Sequence, residues 1–490
     1  MRSKAVLPTK AVLPTKAVLL QELCEEAGIA APAEGSTAIS GISQHSQKVT
    51  KGDIFCCVKG QRYDAHEYAQ QAVKQGAAAL LCEHSMGLDV PEVLVDDVRQ
   101  IMAHMAAALY GHPSKKTEVI AVTGTNGKTT VVAMLAAILK QAGFPVRTLG
   151  TLSVPDTLSA PSLTTPDAIS LQAELAAAVA AGEKVVMEVS SHGLLQQRVA
   201  AVSFKVCVFT NLSQDHLDYH ATMEDYFRAK QSLFNPASTS CAVINTDTSY
   251  GQRLIEEMPA DIGFRTCSRA DAEAIEMSMS QTRFVWEGRE ITLELLGNLA
   301  IKNAITAATT AQELGLSIDD IEAGLAAVEQ VPGRFEVVRK EPVAIIVDFA
   351  HTPEALTLTL ECCAELAPDA NIIAVFGCGG DRDKRKRPLM GEAASKLASH
   401  IILTNDNPRS ERGEAIAQKI AEGIGDTQFS IELDRRSAII EALSVAKPGD
   451  IVLIAGKGHE QTQQIGKQVL QFDDKSVACE ESQKLWGVST

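Results

Sequence analysis

The sequence predicts an α/β protein of three domains: a small N-terminal α/β domain, a central P-loop domain built on a parallel sheet with helices on both faces, and a C-terminal Rossmann-like α/β domain. Three observations predict it. The stretch Val119 to Thr130, VIAVTGTNGKTT, sets a short apolar strand against a glycine-punctuated turn that opens a helix-forming segment. Short apolar strands that run straight into polar loops recur on its C-terminal side, spaced by helical segments, which is the pattern of parallel sheets wound with helices. At 490 residues the chain also exceeds what one hydrophobic core usually organises. The expected divisions are a repeat extension over 1–15, then domains over 16–112, 113–333 and 334–490.

Composition narrows the class of function. A formal net charge of −16 disfavours a nucleic-acid or membrane-surface binder, because those need a positive field. The 11 cysteines include adjacent pairs at Cys56-Cys57 and Cys362-Cys363 but no C-x-x-C, so neither a zinc framework nor a disulfide scaffold is indicated and a reducing cytoplasm is the expected home. No run approaches the ~18 consecutive apolar residues of a membrane span. Lysines interrupt the start where a signal peptide would need an apolar core.

The chain begins with a hexad, Lys4-Ala-Val-Leu-Pro-Thr9, repeated as Lys10 to Thr15. Pro8 and Pro14 forbid a continuous helix, whereas the third copy from Lys16 flows into an amphipathic helix ending near Gly28. The extra copies read as a duplication of the true start, poorly ordered and without function. From about residue 39 a small α/β domain is expected, with strands at Asp53–Val58 and Ala77–Cys82, a helix between them at His66–Gln75, and a helix at Val98–Tyr110 before the break GHPSKK.

The central domain opens on the cradle. Gly124 and Gly127, with Thr125 and Asn126 between them, let backbone N–H groups converge on an anion at a helix N-terminus. Lys128 adds a compact positive charge, and Thr129, followed by Thr130, can place a hydroxyl on Mg²⁺. The motif departs from the general P-loop only at Val122, where the first glycine would stand. ATP or another nucleoside triphosphate is the implied ligand. Strands are expected at Val119–Val122, Lys184–Glu188, Val206–Thr210 and Ala242–Asn245, with a helix at Ile301–Leu314 and a Pro332-Gly333 linker. Ligands bind beyond the carboxyl ends of such strands. There stand Lys128, Glu188-Val-Ser-Ser-His192 and Asn211-Leu-Ser-Gln-Asp-His216, which makes Glu188 and His216 candidate Mg²⁺ ligands, His being the less usual partner for a hard ion.

The third domain repeats the pattern with strands at Ala344–Phe349, Asn371–Phe376, Ile401–Asn405 and Asp450–Ala455. They end in Ala350-His-Thr-Pro353, Gly377-Cys-Gly-Gly-Asp-Arg-Asp383, Asp406-Asn-Pro-Arg409 and Gly456-Lys-Gly-His-Glu460. Lys384-Arg-Lys-Arg387 reads equally as a solvated basic face or as a site for phosphate or carboxylate, while Arg382 and Arg409 follow strand ends directly.

TGTNGKTT, EVSSHGLLQQR, TNLSQDHLDYH, PGRFEVV, DFAHTPEAL, FGCGGDRDKRKRPLMG, NDNPRSE and AGKGHE, in that order and spacing, resemble the Mur ligase family over roughly residues 16 to 490. The resemblance implies an ATP- and Mg²⁺-dependent, ADP-forming acid–amino-acid ligase of cytoplasmic peptidoglycan synthesis, a monomer. Its partners would be UDP-N-acetylmuramoyl-L-alanyl-D-glutamate and meso-2,6-diaminopimelate, joined through an acyl phosphate. It carries over Lys128, Glu188, His216 and Lys230 as catalytic, with Thr129, Glu188, His216 and Lys230 on the metal and Lys230 carbamylated by CO₂. For ATP it adds Asn303, Arg334, Asp348 and His351 to the cradle. For the nucleotide-sugar it gives Ser46, Gln61, Arg62, Tyr63, Thr164, Thr165, Ser190, Gln196 and Arg198. For the amino acid it gives Arg382, Asp406, Asn407, Pro408, Arg409, Gly456 and Glu460, with Arg409 reading the far carboxylate that separates diaminopimelate from lysine. The chain departs from the family pattern at His45-Ser46-Gln47, where Asp-Ser-Arg is common, and at Ala300, where the adenine motif has asparagine, leaving Asn303, or Asn298 by a shift. A ligase for lysine or another amino acid, and a nucleotide-binding paralog without turnover, are the alternatives.

Overall fold

The computed structural model describes residues 17–60, 63–153 and 163–487; the hexad repeat, Gln61 and Arg62 lie outside the described residues. Near the N-terminus a short strand precedes the expected helix. Val18–Leu19 pair antiparallel with Ala38–Ile39, and the helix runs Leu20–Glu26. Strands Gly41–Ser43, Asp53–Cys56, Ala79–Cys82 and Glu92–Leu94 then form a parallel sheet in chain order. Leu20–Glu26 and Val98–Leu109 cover one face and Ala69–Gln75 the other. The helix expected over His66–Gln75 is divided, because the Asp64 carboxylate accepts from the His66 N–H and holds Ala65–Tyr68 as a 3₁₀ turn.

The central sheet runs, in order, Gly263–Cys267, Cys241–Asn245, Val206–Phe209, Val119–Thr123, Lys184–Glu188, Val146–Leu149, all parallel. The inner strands are apolar runs because both faces are covered. Helices Lys128–Gln141, Gly297–Glu313 and Ile318–Ala326 pack on one face, and Ala168–Ala181 and Met223–Gln231 on the other. A three-stranded antiparallel sheet, Glu273–Met277, Thr282–Trp286 and Arg289–Leu293, adds Phe284, Trp286 and Ile291 to the first of these cores.

The C-terminal sheet runs Glu336–Arg339, Ala344–Asp348, Ile451–Ala455, Ile372–Phe376, His400–Leu403, Gln428–Ile431, parallel except for its first strand. The strand expected to reach Asn405 stops at Leu403, because Thr404 and Asn405 turn their side chains to the Leu433 carbonyl. Helices cover both faces here too. Leu296, Cys362 and Leu366 make a small apolar seam between this unit and the central one. No described helix is long and apolar enough to cross a membrane.

Candidate active site

The cradle forms where the central strand Val119–Thr123 gives way to the helix that starts at Lys128. Gly124 and Gly127 take φ of 148° and 86°, and a Cβ there would fall 1.9 Å from Thr210 Oγ1 and 2.4 Å from Asn303 Oδ1. Both the left-handed backbone and the close approach therefore demand glycine. Asn303 thus lies against the cradle, whereas the Asn298 amide is engaged by Arg269 and Glu365, so of the two expected asparagines it is Asn303 that stands beside the glycine turn. Gly127→Ala should weaken ATP binding by about tenfold, ~1.4 kcal/mol, in a calorimetric titration of folded protein.

Two lysines converge on one carbonyl. Lys128 Nζ donates to Gly124 O at 2.9 Å and to Thr125 O at 2.8 Å, and Lys230 Nζ, from the helix Met223–Gln231, donates to the same Gly124 O at 2.8 Å. Burial pushes both ammonium groups below their ordinary pKa, Lys230 far below it, and the Lys128 charge pushes Lys230 further down. A site that brings a half-buried and a fully buried lysine onto one backbone oxygen is built for an anion.

Beside it Thr129 Oγ1 donates to both Glu188 oxygens at 3.1 Å and accepts from Arg334 Nη2 at 3.2 Å, while the Thr151 N–H holds Glu188 Oε1 at 2.8 Å. Among the described residues no three His, Cys, Asp or Glu side chains converge as a metal site. The hydroxyl and carboxylate nevertheless make an oxygen set that suits Mg²⁺, which takes one or two carboxylates plus substrate phosphate oxygens. His216, with φ of 54°, reaches Asp215 Oδ2 through Nε2 at 3.4 Å, and His351 Nε2 approaches the same oxygen at 3.8 Å from the C-terminal unit. Asp215 was not singled out from the sequence. Although burial raises its pKa, the charges of His216, His351 and Lys386 outweigh that and hold the carboxyl down at about 2. Lys386 Nζ donates to the His351 carbonyl at 2.7 Å, so one of the four basic residues Lys384–Arg387 faces the site. Of the others, Arg387 is buried and forked onto Glu411. Asp348 does not present free oxygens: it accepts from the Phe335 and Ala350 N–H groups at 2.6 and 2.8 Å and from Thr359, fixing the turns that carry Arg334 and His351.

The residues expected to bind the nucleotide-sugar divide. Thr165, Ser190, Gln196 and Arg198 form one network next to Glu188: the Thr165 and Ser190 hydroxyls are 3.1 Å apart, Thr165 Oγ1 donates to the Glu188 carbonyl, and Arg198 donates to the Thr165 carbonyl and to Gln196 Oε1. Thr164 immediately precedes it. Ser46, on a 3₁₀ turn, donates to Gln71 at 3.3 Å, and Tyr63 is exposed. No described contact joins either of them to the network.

His192 stacks obliquely on Tyr219 beside this network, with ring centroids 4.0 Å apart. Burial, then the His216 and His220 charges, lower its pKa from 6.5 to about 4. The unfolded chain therefore takes up a proton below about pH 6.5 that the folded chain refuses until about pH 4. Stability is lost as pH falls through that window. The thermal midpoint should drop across it, and His192→Gln should flatten the drop.

At the carboxyl ends of the C-terminal strands, Asn407 Nδ2 and Lys457 Nζ both donate to Glu460 Oε2 at 2.8 Å, and the Asn407 N–H is held by Asp406 Oδ1 at 2.6 Å. A Cβ on Gly456 would fall 2.7 Å from Asp406 Oδ2. Arg382 and Arg409 flank Gly379, Arg409 donating to the Gly380 carbonyl at 2.8 Å, and Pro408 carries the turn between them. Burial and then the Arg382 charge lower the Arg409 pKa. Lys457, which the sequence marks only as part of the Gly456–Glu460 loop, is wholly buried.

A phosphate cradle on a doubly wound central sheet, capped by a second α/β unit that contributes Arg334 and His351, defines a nucleotide-dependent transferase or ligase. Comparison with known proteins narrows this. Residues 38–110 match the model described as Mur ligase family, catalytic domain; 122–311 match the Mur ligase middle domain; and 333–458 match Mur ligase, glutamate ligase domain. The chain belongs to the Mur ligase family. It is 42% identical over 465 residues to the UDP-N-acetylmuramoyl-L-alanyl-D-glutamate--2,6-diaminopimelate ligase of Syntrophomonas wolfei, covering 90% of this chain and 94% of that protein. To the Bacillus cereus protein of the same name it is 39% identical over 460 residues, with 90% and 94% covered. A solved structure of an enzyme so named superposes with a TM-score of 0.67 at 33% identity, covering 96% of this chain and 99% of that one.

Proposed function

We infer that this chain is an ATP-dependent, ADP-forming ligase that joins meso-2,6-diaminopimelate to UDP-N-acetylmuramoyl-L-alanyl-D-glutamate in peptidoglycan synthesis, acting as a monomer in the cytoplasm. The observation that carries the reading is the meeting of Lys128 and Lys230 on the Gly124 carbonyl, beside the Thr129–Glu188 pair. Moving a phosphoryl group from one anion to another needs concentrated positive charge and in-line placement. Mg²⁺, held by Thr129, Glu188 and His216, would supply charge neutralisation there.

A D-glutamyl carboxylate oxygen then bonds to the γ-phosphorus and ADP leaves. The diaminopimelate amine attacks the resulting acyl phosphate, its carbon–oxygen bond to phosphate breaks, and the amine loses a proton. Thr165, Ser190, Gln196 and Arg198 would orient the nucleotide-sugar; Asn303, Arg334 and His351 would orient ATP. Asp406, Asn407, Arg409, Arg382 and Glu460 would hold the amino acid. Burial and then the Lys128 charge push the Lys230 ammonium well below its ordinary pKa, which favours the neutral amine that adds CO₂, so its surroundings support carbamylation of Lys230 with loss of one proton.

ADP release measured with the UDP-dipeptide and either diaminopimelate or lysine tests the assignment. Rapid turnover with diaminopimelate and little with lysine is expected. Faster turnover with lysine would defeat the amino-acid assignment, and ATP binding without phosphate release would defeat the enzyme. Lys230→Ala should lower kcat by about 10²-fold or more without altering the fold, and intact-mass measurement under CO₂ should find the wild type heavier by one CO₂.

A further inference from the structure

Arg435 and Asp474 form an ion pair with no side-chain exposure on either partner. Arg435 Nε and Nη2 each donate to an Asp474 oxygen at 2.7 Å. The same guanidinium also reaches two backbone carbonyls: Nη2 donates to Ala455 O at 2.9 Å and Nη1 to Asn405 O at 3.3 Å. Ala455 directly precedes Gly456, and Asn405 directly precedes Asp406.

In the sheet Ile372–Phe376 lies between Ile451–Ala455 and His400–Leu403, so no backbone ladder joins the ends of those two strands. Beyond the strands the two loops touch through side chains, Asn407 to Glu460 and Lys457 to Asn407, and the Arg435 fork bonds the backbone at the root of each. Stability alone does not account for it. Arg435 opens the helix Arg435–Val445, where a cation opposes the helix dipole. Buried ion pairs can often be exchanged for apolar side chains at no cost in stability. A planar fork that bonds one carboxylate and two carbonyls at once instead fixes distances.

We propose that Arg435, held by Asp474, is a positioning residue for amino-acid binding: it sets the spacing between the Asp406–Arg409 and Gly456–Glu460 loops and thereby the fit of the diaminopimelate between them. The proposal rests on the reading of those loops as the amino-acid site.

The double variant Arg435→Met/Asp474→Leu removes both charges without stranding either. It should melt close to wild type and raise the KM for diaminopimelate about tenfold or more, with the KM values for ATP and the UDP-dipeptide little changed. Arg435→Lys keeps the charge and the Asp474 partner but cannot span both carbonyls, and should shift the same KM in the same direction; it decides alone if the double variant does not fold. An unchanged KM for diaminopimelate, or a rise shared by all three substrates in step with a lower thermal midpoint, overturns the positioning role. Wild-type enzyme that releases ADP with diaminopimelate while the variants bind it normally sinks this proposal only. Wild-type enzyme that never uses diaminopimelate sinks the functional assignment beneath it as well.

Discussion

Lys128→Met should lower the rate of ADP release by about three orders of magnitude, ~4 kcal/mol of transition-state stabilisation, in protein that melts near the wild-type temperature. The size follows from where the ammonium sits. It shares the Gly124 carbonyl with Lys230, and its partial burial strengthens its field on an anion there. Lys128 donates to the Gly124 and Thr125 carbonyls, so removing it frees two loop oxygens rather than stranding a buried charge. The fold should therefore survive while the chemistry does not. Lys128→Arg separates charge from shape: a guanidinium keeps the charge, but its fork does not fit a cradle closed over two carbonyls, and most of the loss should remain. Wild-type turnover in Lys128→Met would place the phosphate somewhere other than this turn.

The parts of the fold that showed in the sequence are those buried on both sides. The 119–122 run, Val206–Phe209, Ile372–Phe376 and Ile451–Ala455 are unbroken apolar runs because helices cover both of their faces. The edge strands Val146–Leu149, Gly263–Cys267 and Gln428–Ile431 were missed for the converse reason: their residues are largely exposed or half-exposed, and no run or alternation marks them. The antiparallel sheet over Glu273–Leu293 was missed although Thr282–Trp286 alternates buried and half-buried residues. Its period-two signal spans only five residues, Thr-Arg-Phe-Val-Trp, and so does not stand out as an apolar run. The cradle was legible because strand, glycines, lysine and helix are contiguous. Asp215 was quoted within its motif but passed over, since only the folded chain shows that it faces His216 and His351 together. The Arg435–Asp474 pair had no local signature, its halves being brought together by the wrapping of the last helix.

The second large effect is expected at Arg409. Arg409→Ala should reduce kcat/KM for diaminopimelate by about two to three orders of magnitude while leaving the weak activity toward lysine nearly unchanged, so that the preference between them collapses. The loop around Arg409 is locked from several sides. Its backbone sits at φ of 51° and bonds Gln464 and Gly466, and Ser410 donates to Asp381 Oδ1 at 2.6 Å. Glu411 takes the Asp381 N–H at 2.7 Å and both arms of the Arg387 guanidinium at 3.0 and 2.9 Å. A fork held this firmly loses little entropy when it meets a carboxylate. Among the described residues its side chain makes one hydrogen bond, to the Gly380 carbonyl, so N–H groups remain for a ligand. Burial and the nearby Arg382 both disfavour its charge, and a carboxylate arriving there relieves both at once. Lysine, with hydrogen in place of that carboxylate, leaves the neighbouring Arg382 and Arg409 charges uncompensated, which is why the site should reject it. Arg409→Lys should recover part of the diaminopimelate activity through charge alone, and the remaining deficit measures the planar, two-pronged contact. Equal loss on both amino acids would assign Arg409 to holding the loop and move the reading of the far carboxylate to Arg382.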